Sequence, residues 1–227
     1  MSSAGEHHPA LAHHFESLDN QKEAATLGMW AFLAQEVLFF GGLFLVYALY
    51  RNIYYPVFEA SSHHLNWKLG AFNTAVLICS SLTMAMAVHA AALGHGRQAM
   101  GWLIATIVLG AAFLGVKVVE YHDKWTHGLV PGLHWGPPET VAEELHLSVA
   151  DALHAQLYFS LYFAMTGLHA LHMIIGMPIL GWLAWHASRG RFGPEYHTPV
   201  EMTGLYWHFV DIIWIFLFPL LYLIGHH

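Results

Sequence analysis

The sequence predicts an all-α protein, an integral membrane bundle of five transmembrane helices. Three observations carry that prediction. The 227 residues are 56% hydrophobic and only 10% charged, whereas a soluble domain carries about a quarter charged residues. The apolar residues gather in runs at about 27–50, 72–93, 102–121, 157–185 and 202–224, each long enough to cross a bilayer as a helix. The formal charge of -7 is spread over loops and termini. That balance disfavours a nucleic-acid partner.

The first run is "LGMWAFLAQEVLFFGGLFLVYALYR", and between Leu27 and Tyr50 only Gln35 and Glu36 are strongly polar. As a helix this stretch rises about 36 Å, enough for a ~30 Å hydrocarbon core with some tilt. Arg51 ends the run and can snorkel to the headgroups. An ionised acid near the bilayer centre costs on the order of 3 kcal/mol. Glu36 must therefore face protein, water or a bound headgroup, or carry a proton. Residues 1–26 read as a polar, His-rich tail on the cytoplasmic side. The tail lacks the basic n-region and short h-region of a signal peptide, so the first run is expected to be a retained span.

The second span is "FNTAVLICSSLTMAMAVHAAAL", and it holds the sole cysteine, Cys79. No disulfide within the chain is possible, nor a Cys-x-x-Cys-His haem attachment, nor a cysteine-pair copper or zinc site. The third span is "WLIATIVLGAAFLGVKVVEY". An outer loop, 124–156, follows as the longest connection. In it Pro137 and Pro138 precede Val141, Leu145 and Val149 at helical spacing, with Glu139, Glu143, Glu144 and Asp151 as the acids. A short surface helix is expected there. It is either a solvated cap or a docking face for a basic partner. The fourth span passes through "FAMTGLHALHMIIGMPILGWLAW" and the fifth through "WHFVDIIWIFLFPLLYL".

An odd number of spans puts the termini on opposite sides. Lys22, Arg97, Arg189 and Arg191 fall on the N-terminal side, and Arg51, Lys68 and Lys124 on the other. The count leans toward a cytoplasmic N-terminus. Trp30, Tyr50, Trp102, Trp182, Trp185 and Tyr206 lie near span ends, as interfacial anchors should. Gly41, Gly42, Ser80, Ser81, Gly110, Gly115, Gly176 and Gly181 are small residues expected to let helix backbones approach closely. No internal repeat supports a transporter built from inverted halves.

Intramembrane polar residues are functional candidates by default. Here they are Glu36, Lys117, Glu120, His169, His172, His208 and Asp211. Lys117 and Glu120 stand three apart and read as a structural ion pair, with Lys117 snorkelling to the nearby membrane edge. His169 and His172 share a helical stripe with Gly176, and His208 and Asp211 share another. Their ordinary reading is hydrogen bonding to acids or hydroxyls on neighbouring helices. Two histidines three apart could also ligate a metal, but that needs further ligands and an orienting shell. The ferritin-type carboxylate set is absent, and no metal site is assigned. Haem is the serious rival: His89, His169, His172 and His208 could serve as axial ligands of a five-helix membrane cytochrome b. The His pairs 7/8, 13/14 and 226/227 read as solvated ends or adventitious metal binders.

At these residues the chain resembles subunit III of the haem-copper respiratory oxidases, in its short five-span form. The matches run in order: "AQEVLFFGGLFLVYALYR", "FNTAVLICSSLTMAMAVHAA", "VKVVEYHDK", "TGLHALHMIIG" and "YWHFVDIIWIFLF". The last two are the most specific, and the resemblance covers roughly residues 25–225, apart from the 124–156 loop.

The resemblance implies a chain with no catalytic residue and no haem or copper of its own. It would pack against the catalytic subunit I, beside subunit II and further subunits of the complex. Subunit I, which holds haem and copper, reduces oxygen with electrons from cytochrome c and pumps protons. The family's subunit III binds phospholipid in a cleft, helps keep proton uptake fast and protects subunit I during turnover. By resemblance Glu36 is the intramembrane glutamate facing that cleft. His169, His172, His208 and Asp211 occupy the family's interhelical polar positions. The family places the short form's N-terminus in the cytoplasm and its C-terminus outside, in a bacterial or archaeal plasma membrane. The long form has two further N-terminal helices that wall the cleft. Without them, either another subunit supplies the wall or the cleft opens to bulk lipid. Subunits III of quinol oxidases and the accessory chains of nitric oxide reductases share the same signatures. Because cytochrome c would arrive on the outer side, Glu139, Glu143 and Glu144 are candidate docking residues.

Overall fold

The computed structural model describes residues 11–225. His7, His8, His226 and His227 lie outside the described residues. Five helices are long and apolar enough to cross a membrane: α1 (Leu18–Ile53), α3 (Trp67–Ala92), α4 (Gly96–Thr126), α6 (Val149–Ser188) and α7 (Thr198–Tyr222). Two short helices, α2 (Tyr55–Ser62) and α5 (Pro138–Glu144), lie between them. A two-residue hairpin of β1 (Leu129–Val130) and β2 (His134–Trp135) precedes α5.

The helices outrun the apolar runs because their ends are set by capping. Ser17 caps α1 by accepting from Asn20 N–H, so α1 begins inside the segment expected to be a tail over 1–26. Asn66 accepts from the N–H groups of Lys68 and Leu69 at the start of α3. Ser148 accepts from Asp151 N–H and starts α6 eight residues before the expected span. The expected outer loop 124–156 is therefore mostly ordered structure, and its expected surface helix is α5. The helix α2 was not foreseen. Gly94, at φ +77°, ends α3 in the left-handed region, and His95 N–H bonds back to Ala90 O, which lets α4 follow in a tight turn.

Helices α3, α4, α6 and α7 form the body of the bundle, and α1 packs on its α6–α7 side. The ion pair of Lys22 with Glu201, at 3.3 Å, ties the start of α1 to the start of α7. Both helices therefore begin at the same membrane face. Trp207 of α7 sits at the centre, fully buried. A Cβ at Gly176 of α6 would lie 2.9 Å from its ring, and one at Gly110 of α4 3.1 Å away. These two glycines make the close approach that small residues permit in lipid. Gly41, Gly42, Gly115 and Gly181 do not: a Cβ at any of them would meet nothing within 4 Å. They lie on outward faces, where nothing in this chain packs.

The last carbonyls of a helix have no partner within it. For α7, Tyr47 of α1 donates to Leu220 O and Tyr158 of α6 donates to Leu221 O, so three helices close that end together. Trp30, Tyr50, Trp182 and Trp185 are exposed, as interfacial anchors are, and Arg189 lies 4.2 Å from the ring centre of Trp185. Tyr206 is not an anchor. It is buried, and its hydroxyl donates to His172 O at 2.8 Å.

Candidate functional site

The polar residues of the spans fall into separate sites within the bundle. Glu36 lies on the inward stripe of α1 with Phe40 and Tyr47, all buried, while Val37, Leu38 and Leu45 face outward. Its Oε2 is 3.4 Å from Nε2 of His172 on α6. The contact is close enough for an ion pair but lacks hydrogen-bond alignment. His172 Nδ1 lies 2.8 Å from Leu168 O one turn back, which orients the ring toward α1. Phe40 packs on the same imidazole, ring centres 5.6 Å apart. Of the surroundings open to Glu36, the structure supplies protein.

Lys117 and Glu120 form the densest site. Lys117 Nζ donates to Glu120 Oε2 at 2.9 Å and to the hydroxyls of Tyr162 and Tyr222 at 3.0 Å each. Tyr222 in turn donates to Glu120 Oε1 at 2.6 Å. The rings of Tyr121, Tyr162, Trp214 and Tyr222 surround the ammonium at 4.9–5.7 Å. The expected ion pair is present, but Lys117 does not snorkel. It is 2% exposed and directed into the bundle, where three acceptors from α4, α6 and α7 hold it. Lys124, two turns further toward the C-terminal end of α4, reaches His64 O at 2.6 Å and Asp123 at 2.8 Å.

His169, one turn from His172, is sealed between Phe113 and Trp214, with ring centres 5.2 and 5.3 Å away. Neither of its nitrogens has a hydrogen-bond partner. His208 meets Ser81 of α3, Nδ1 to Oγ at 2.8 Å. Asp211, one turn further along α7, is 3% exposed and neither carboxylate oxygen has a partner. The sequence-based expectation that His169 and Asp211 bond to neighbouring helices is thus not met within this chain. His169 is among aromatic rings, and the polar neighbours of Asp211, Ser81 and His208, bond to each other instead. The four histidines weighed as haem ligands have four different settings: His89 is exposed, His169 is sealed by rings, His172 faces α1 and His208 faces α3. Among the described residues, no group of three or more metal-ligating side chains converges.

At the end of the bundle where α4 finishes, Glu139, Glu143 and Glu144 are exposed on α5, and His127 Nε2 lies 3.9 Å from Glu144. The residues that sequence reasoning passed over are tyrosines and serines: Tyr162 and Tyr222 around Lys117, Tyr206 on His172, and Ser80, which accepts from Trp207 Nε1 at 3.0 Å. A hydroxyl or indole inside an apolar run signals a need for a partner. The sequence does not say which helix provides it.

Comparison with known proteins agrees with the bundle. The family model described as "Cytochrome c oxidase subunit III" matches residues 12–127 and 142–226. Both parts extend past the sequence resemblance, the first to six residues before α1 and the second into α5. A "Cytochrome c oxidase subunit 3" of Thermostichus vulcanus is 32% identical over 199 residues, covering 87% of this chain and 86% of its own length. One from Corynebacterium diphtheriae is 31% identical over 207 residues, 90% of each. One from Gallus gallus is 32% identical over 206 residues, which is 87% of this chain but 69% of the longer bird protein.

Proposed function

The chain belongs to the cytochrome c oxidase subunit III family, and from that premise we propose that it is an accessory, cofactor-free subunit of a haem-copper terminal oxidase. It is a multi-pass membrane protein and a subunit of an oxidase complex. In the proposal it packs directly on subunit I, with subunit II and the cytochrome c donor at the outer face. Haem and copper stay in the partner subunits. This chain stabilises subunit I, supports proton uptake and binds phospholipid. Its N-terminus lies in the cytoplasm of a bacterium or archaeon.

One observation supports the accessory reading above others. Two of the polar sites inside the membrane join helices to one another: Lys117 and Glu120 of α4 with Tyr162 and Tyr222, and Glu36 of α1 with His172 of α6. Such arrangements fix helices against each other, which is what a supporting subunit requires. For the lipid role, the support is the outward apolar face of α1, where Val37, Leu38 and Leu45 are exposed one step round the helix from Glu36.

The test compares the oxidase purified with and without this chain. The proposal predicts equal haem content and similar initial oxygen consumption. Without the chain, activity declines faster over successive turnovers, and phospholipid that copurifies with the intact complex is lost. Loss of haem or of all initial activity on removing the chain would contradict it.

A further inference from the structure

Asp211 has no partner in this chain, and its position says where one comes from. It lines a groove of about 320 Å³ between α3 and α7, together with Ser81 and His208 and the aliphatic walls of Ile78, Ile212 and Ile215. Those three isoleucines are 45–55% exposed, so the groove opens to the outside of the bundle. Ser81 and His208 bond to each other across it. Asp211 is left with both oxygens buried and unpaired. A buried acid without a partner is costly and rare, whether ionised or neutral. His169, another residue with buried and unpaired polar atoms, is enclosed by rings. Among the described residues, Asp211 is the one whose two carboxylate oxygens are both unpaired beside an open groove.

Depth identifies the occupant. In α7, Thr198–Tyr222, Asp211 stands about 20 Å from the first residue and about 17 Å from the last at the helical rise. Ser81 is similarly central in α3, Trp67–Ala92. Lipid headgroups stay at the edges of a ~30 Å core, and acyl chains carry no donor. A donor that reaches this depth and also covers the exposed isoleucine walls is a side chain on another transmembrane helix. We infer that the α3–α7 groove is the docking site for a transmembrane helix of a neighbouring subunit, one that presents a donor side chain to Asp211. The inference rests on the reading of the chain as one subunit of an oxidase complex. The apolar walls supply the van der Waals packing that joins helices in lipid, and the acid sets the register. A donor on the partner satisfies the carboxyl only when the two helices are aligned.

The test uses the complex in its native membranes. A photo-crosslinking residue replaces Ile215, and in a second variant Ile78. The complex is then irradiated, solubilised and purified through this chain. Both positions are expected to join a protein subunit. Asp211→Leu added to either variant is expected to lower the yield about tenfold, the loss of one charge-assisted hydrogen bond. Asp211→Asn, which keeps one acceptor, is expected to fall between. Adducts to lipid alone, in a preparation that keeps its haem-bearing partners, would overturn the inference and leave the subunit reading intact. Crosslinks to protein with the same yield in Asp211→Leu would overturn the role of the acid. Absence of any haem-bearing partner from the unirradiated parent preparation would overturn the subunit reading, and the inference with it.

Discussion

Replacing Glu120 by Gln keeps the shape of the side chain and removes the counter-charge of Lys117. In the wild type, Glu120 accepts from Lys117 Nζ at 2.9 Å and from Tyr222 at 2.6 Å, in a site where both charged residues are at most 4% exposed. A hydrogen bond to a charged group contributes about 1.5–3 kcal/mol, and removing one partner of a buried pair costs about 3–5 kcal/mol. Tyr162 and Tyr222 still accept from the ammonium in the variant, which places Glu120→Gln near the lower end, about 3 kcal/mol, or more than a hundredfold in the folding equilibrium. Lys117→Met leaves the carboxylate with Tyr222 alone and is expected to cost a similar amount. The double change, Lys117→Met with Glu120→Leu, removes both charges and keeps the volume. Buried pairs replaced in this way are often neutral, so the double variant should recover most of the loss. The assay is a denaturing-detergent titration of the complex, read by release of this chain, with Glu120→Leu as the further single change that closes the double-mutant cycle. Single changes costing under ~1 kcal/mol, or a double change equal to the sum of the singles, would refute the claim that the pair is a coupled clamp between α4, α6 and α7.

Glu36→Gln should assemble normally and change steady-state oxygen consumption only modestly, because Glu36 has a protein neighbour in His172 rather than a redox centre; complete loss of turnover would contradict an accessory role. Gly176→Ala should destabilise the bundle by roughly 1–3 kcal/mol through overlap with Trp207, while Gly181→Ala, with open space around it, should be neutral or slightly stabilising; thermal release of the chain from the complex separates the two. Neutralising Glu139, Glu143 and Glu144 together should slow the salt-dependent association of a cationic cytochrome c. An unchanged on-rate across ionic strengths would make α5 only a cap.

The spans were legible because hydropathy reports depth in the membrane, and their order was enough to expect the bundle. Helix ends were less so. Hydropathy stops at residue 27, but a serine at 17 and an acid in the first turn carry α1 back to Leu18, and Ser148 with Asp151 does the same for α6. These caps are written in the sequence and outweigh the loss of apolarity. The Lys117–Glu120 pair was legible because its two members stand three apart on one helix. Its tyrosines were not, since Tyr162 and Tyr222 come from helices 45 and 105 residues on. Snorkelling was the wrong expectation for Lys117 because those hydroxyls satisfy the ammonium where it stands. For Asp211, spacing placed the residue in the membrane but could not show that α3 offers it nothing.

The central claim is that this chain supports redox centres it does not hold. The direct measurement is a reduced-minus-oxidised visible spectrum of the tagged chain from its native membranes, before and after its partners are stripped. The account predicts haem and copper in the intact preparation, both departing with a large partner subunit. Haem b remaining with the stripped chain would contradict it and make His169, His172 and His208 axial-ligand candidates.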